Sequence, residues 1–100
     1  MKVNVHAVNF NIDRKLVDFI QTRLTKLEKY YDNVVSSDVF LKVENISEKE
    51  NKAVEFKIHV PGDDFIVKKQ CKTFEEAVEL AAESLERLLV KRKEKVRAHI

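Results

Sequence analysis

The sequence predicts an α+β fold: a two-layer sandwich in which two helices pack on one face of a four-stranded, mostly antiparallel sheet, in the order β-α-β-β-β-α. Three observations lead there. Two apolar stripes recur at helical spacing, and stretches of strict alternation lie before and between them. The only Gly and the only Pro among 100 residues are adjacent, so the elements must be long and the sharp turns few. Amphipathic helices must bury their stripes, and a sheet face is the surface available to cover them.

The first strand runs from Lys2 to Asn9, with Val3, Val5 and Ala7 on one side and Asn4 and His6 on the other, the period of a half-buried strand. Asp13 is placed to cap a helix, because a short carboxylate accepts the free N–H groups of a first turn. Leu16, Ile20, Leu24, Leu27 and Tyr31 then recur at four- and three-residue steps, and Asp32-Asn33 ends the pattern. A second strand alternates Val39, Leu41 and Val43 with Phe40, Lys42 and Glu44, and the polar run Asn45 to Lys52 reads as a loop. The third strand alternates Val54, Phe56, Ile58 and Val60 with Glu55, Lys57 and His59. In VPGD, Pro61 presets φ and Gly62 supplies a positive φ, a type II turn, so a hairpin into a fourth strand, Phe65 to Cys71, follows. Thr73-x-x-Glu76 is a capping box opening a long helix, with Phe74, Val78, Ala81, Leu85 and Leu88/Leu89 as its buried stripe.

One hundred residues make a single domain, 1–100, with one core. Apolar residues supply 44% and charged residues 36%, and no run approaches a membrane span. The alternating N-terminus lacks the apolar centre of a secretory signal. One cysteine, Cys71, excludes an internal disulfide and a cysteine-cluster metal site, which fits a cytoplasmic setting. His6, His59 and His99 lack a ligand-pair spacing and read as solvated, and Cys71 reads as a small buried hydrophobe. No glycine-rich phosphate loop exists. The chain is therefore predicted to be no enzyme, with no metal, no cofactor, no membrane partner and no small-molecule substrate.

A net charge of +2 says little about partners, but the placement of charge says more. Arg87 to Arg97 carries six Lys or Arg residues against Glu94, whereas Phe74 to Glu86 carries five Glu and no cation. The helix macrodipole alone favours that polarity. It does not account for Arg23 and Lys26 in the middle of the first helix. At about 100° per residue, Arg87, Lys91 and Lys95 form an outward flank of the last helix. Phe19, Arg23, Lys26 and Tyr30 form one flank of the first, with Lys29 nearby. Arg92 falls on the buried side, which predicts a helix that leaves the sheet near residue 90. Two basic helix surfaces on one side of a sheet make an RNA-backbone footprint.

LTKLEKYYDNV, LKVE and SLERLLVKRKEKVRAH resemble the ribosome hibernation promoting factor family, also called ribosome-associated inhibitor A, across nearly the whole chain. The resemblance implies a translation inhibitor that binds the small (30S) ribosomal subunit and its 16S rRNA in the mRNA and tRNA channel. It would compete with mRNA and with A- and P-site tRNA, and promote ribosome hibernation under starvation. The family's basic positions match Arg23, Lys26 and Lys29 on the first helix and Arg87, Lys91, Lys93, Lys95 and Arg97 on the second.

There are departures. Glu75 stands where the family commonly has Tyr, and Lys69 where it often has a small residue facing the helices. The chain stops at Ile100, which looks like the short type. Two other readings are open. A double-stranded RNA-binding module shares part of the element order, but NISEKENK has no Gly and the second helix opens with glutamates. A protein-interaction domain with a solvated basic helix end predicts binding with little salt dependence.

Overall fold

The computed structural model describes residues 1–8, 10–31, 33–44 and 51–97, with side chains through Lys93. The elements follow the predicted order: β1 (Lys2–Val8), α1 (Arg14–Leu27), β2 (Ser36–Val43), β3 (Lys52–Val60), β4 (Asp63–Cys71) and α2 (Phe74–Arg97). The sheet order is β1-β2-β3-β4. β1 runs parallel to β2, which requires a crossover, and α1 is that crossover. β2, β3 and β4 are joined antiparallel, with Val39 opposite Phe56 and Phe56 opposite Val67. Asn9, Asp32, the loop positions 45–50 and His99 lie outside the described residues.

Alternation selects the buried face. Val39 and Leu41 of β2, Val54, Phe56, Ile58 and Val60 of β3, and Val67 and Cys71 of β4 all point to the helices. Leu16, Ile20, Leu24 and Leu27 answer them from α1, and Ala77, Val78, Ala81, Ala82, Leu85 and Leu89 from α2. Each large aliphatic or aromatic side chain so enclosed contributes roughly 1.5–3 kcal/mol. The alanines let α2 lie close over β3 and β4.

Local chemistry sets the ends. The Asp13 carboxylate accepts from the Lys15 amide at 2.7 Å, and Thr73 Oγ1 accepts from the Glu76 amide at 3.2 Å. Gly62 has φ 80°, as a type II turn demands, and Val60 pairs with Asp63 across it.

Four details differ from expectation. α1 stops at Leu27, because the amides of Glu28, Lys29 and Tyr30 bond back three residues and tighten the chain into a turn that still returns Tyr31 to the core. β2 begins at Ser36, where Ser37 continues the buried row and donates its hydroxyl to Met1 Sδ. Val43 and Leu88 belong to the right periods but lie at the margin of the core and are exposed. α2 does not part from the sheet near residue 90, because Arg92 reaches the β3–β4 turn.

Candidate nucleic-acid interface

Two contacts set the relative direction of the helices. Arg23 of α1 meets Glu79 and Glu86 of α2, while Tyr31, just past α1, meets Arg92. Both helices therefore advance the same way, and the C-terminal half of α1 lies beside α2 from Glu79 to Glu86. α1 ends at Leu27, between the Arg23 and Tyr31 contacts, whereas α2 runs on past Arg92 to Arg97, so the two carbonyl ends are offset along the seam, and each favours cations by roughly 0.3–1 kcal/mol.

Arg23, Lys26 and Lys29 share a groove with Tyr30, Glu79 and Glu86 at this seam. The eight predicted positions are not equivalent. Lys26 and Lys29 are exposed, as are Arg87, Lys91 and Lys93 on α2. Among the described residues no carboxylate lies within 4.0 Å of those four lysines. Arg87 donates to its neighbour Ser84 at 3.2 Å. Arg23 is different: its Nε is hydrogen-bonded to both Glu79 carboxylate oxygens, and its side chain is only 15% exposed. Its charge is already engaged by acid. Lys95 and Arg97 lie on the helical backbone of the last turns, with side chains outside the described set.

The seam carries a feature that periodicity could not reveal. Arg92, predicted to face inward, is satisfied there: Nε donates to Tyr31 Oη at 3.3 Å, Nη1 to Asp63 Oδ2 at 3.0 Å and Nη2 to the Pro61 carbonyl at 2.9 Å. The guanidinium also lies 6.0 Å from the Phe65 ring centroid. The only sequence signal was a cation at an apolar helical position.

The opposite, uncovered sheet face has its own polar set. His59 stands between Asp64, 2.8 Å from Nδ1, and Asp38, 3.0 Å from Nε2. Both ring nitrogens must donate to satisfy both carboxylates, so the Asp64 and Asp38 bonds raise the His59 pKa. The His59 and Asn4 bonds correspondingly lower that of Asp38. His6 stacks on Phe40 with centroids 4.8 Å apart and sits 3.6 Å from Asp38. The two histidines thus converge on Asp38 rather than on each other, and no metal-ligating group of three occurs among the described residues. Nor is any described helix long and apolar enough to cross a membrane.

The family profile described as "Sigma 54 modulation protein / S30EA ribosomal protein" matches residues 3–97. The chain belongs to this family. Relatives include a ribosome hibernation promoting factor of Azotobacter vinelandii, 28% identical over 95 residues, covering 95% of this chain and 85% of that one. The ribosome hibernation promoting factor of Escherichia coli K12 is 27% identical over 99 residues, covering 99% of this chain and 100% of that one. A ribosomal subunit interface protein of Coxiella burnetii has the same fold, with a TM-score of 0.82 at 18% identity over 93% of this chain and 98% of that one. Family membership thus joins a fold in which two helices carrying exposed cations run side by side.

Proposed function

We propose that this chain is a ribosome-associated hibernation factor that binds the small (30S) subunit through 16S rRNA, in the channel otherwise occupied by mRNA and by A- and P-site tRNA. The observation that carries the reading is a set of exposed cations on two helices that run side by side: among the described residues, Lys26, Lys29, Lys91 and Lys93 are exposed with no carboxylate within 4.0 Å, and Arg87 is exposed on the same helix as Lys91 and Lys93. Phosphate recognition needs charge and reach rather than a base-reading pocket, and lysines on rigid helices supply both. Lys95 and Arg97, on the helical backbone of the last turns of α2, belong to the proposed surface by their place in the sequence, and Arg23 bridges the two helices through Glu79. The names of the relatives, ribosome hibernation promoting factors, support the same assignment.

Occupying the channel blocks initiation and keeps idle ribosomes intact during starvation, with no chemistry required of the protein. The test is co-sedimentation with purified 30S subunits across a salt series, beside an Arg87→Glu, Lys91→Glu double variant. Saturable binding that weakens with salt, is lost in the variant and is displaced by tRNA and mRNA is the expected result. A salt-independent association, or tighter binding to free RNA duplex than to the subunit, overturns it.

A further inference from the structure

Arg92 is the one cation of the closing basic stretch that periodicity turned inward, and its contacts assign it a different task from its neighbours. Its guanidinium holds three acceptors from two separate parts of the chain: Tyr31 after the α1 turn, and the Pro61 carbonyl and Asp63 carboxylate of the β3–β4 turn. A planar fork with fixed donor directions can hold several acceptors at once in a way that an ammonium cannot. Turn chemistry prepares one of the three. Types I and II differ by a flip of the central peptide, so the positive φ of Gly62 decides where the Pro61 carbonyl points.

The helical step of about 100° per residue sends Lys91 and Lys93 to opposite flanks of the inward Arg92. Both are exposed, whereas the Arg92 side chain is 24% exposed and faces an acid. The residue that fixes the helix is thus framed by two exposed cations.

We propose that Arg92 is a positioning residue and not a phosphate contact: by tying α2 to Tyr31, Asp63 and Pro61 it sets the direction in which Lys91, Lys93 and the final helical turn are presented to RNA. The proposal rests on the ribosome-binding reading for its affinity consequences, but the clamp itself can be measured without any ligand.

The experiment uses the full chain and three variants, Arg92→Gln, Asp63→Asn and, for comparison, Lys91→Gln. Amide hydrogen exchange over residues 91–97 and affinity for purified 30S subunits are read across a salt series, at a temperature where every variant is folded. A positioning role predicts faster exchange at 91–97 in Arg92→Gln and Asp63→Asn but not in Lys91→Gln. It predicts about fivefold weaker binding for both clamp variants with an unchanged salt slope, whereas Lys91→Gln lowers the slope by roughly 0.7–0.9.

Asp63→Asn is decisive because it removes an acid. If Arg92 were a phosphate contact, freeing it would leave affinity equal or higher; a fall supports positioning. Unchanged exchange in both clamp variants overturns the proposal, as does a salt slope that drops in Arg92→Gln. If the wild-type chain does not bind the subunit, the functional reading falls, and hydrogen exchange alone decides the clamp.

Discussion

Arg23 on α1 and Glu79 on α2 are joined through the guanidinium Nε, and Glu86, two turns further along α2, lies 3.9 Å from Nη2. The arginine that looked most like a mid-helix phosphate contact is therefore the tie between the two helices, held in the seam by α2's own acids. Glu79→Gln is expected to have two opposite effects. Stability falls by about 0.5–1 kcal/mol, because the pair is only partly screened on the arginine side. Binding to 30S subunits tightens, with a steeper salt dependence, as Arg23 becomes free for phosphate. Thermal melting with a subunit-binding salt series checks both.

Lys26 and Lys29 carry no such tie among the described residues. Each, changed to Gln, is expected to weaken subunit binding and lower the salt slope by roughly 0.7–0.9, leaving the melting temperature within about 2 °C of wild type. A slope unchanged by either would remove the α1 end from the interface.

Two groups on the uncovered face make stability depend on pH. His59 has a raised pKa, so its contribution is full below its unfolded value of 6.5 and is lost as pH rises through the higher folded value. Asp38 has a lowered pKa, so its contribution is full above 3.8 and is lost as pH falls through the lower folded value. The destabilisation caused by His59→Gln is therefore greatest between 3.8 and 6.5 and shrinks on either side. Urea unfolding of both proteins at pH 3, 5 and about 9 tests this; a difference that grows toward alkaline pH refutes the assignment.

Phe56 is wholly buried at the centre of β3, so Phe56→Ala should cost about 3–5 kcal/mol, much of the margin of a domain this size. Gly62→Ala meets no atom within 4 Å, so its cost is backbone strain alone at φ 80°, about 1 kcal/mol. Chemical denaturation separates a core defect from a turn defect by that difference.

The periods of the sequence determined the elements, because side-chain alternation and the 3.6-residue repeat are local properties that burial reads directly. They were enough to name the core residues Ile20, Leu24, Phe56 and Leu85, the Gly62 turn and the basic flanks. The same periods placed Arg92 inward, yet they could not supply the acceptors that make an inward guanidinium tolerable. Tyr31, Asp63 and Pro61 are 61, 29 and 31 residues away in sequence. Only the tertiary structure decided which cations are engaged, Arg23 by Glu79 and Arg92 by Asp63, and which, among the described residues, are not. A charge's availability depends on what lies within a few ångströms of it, and here those neighbours come from other elements of the chain.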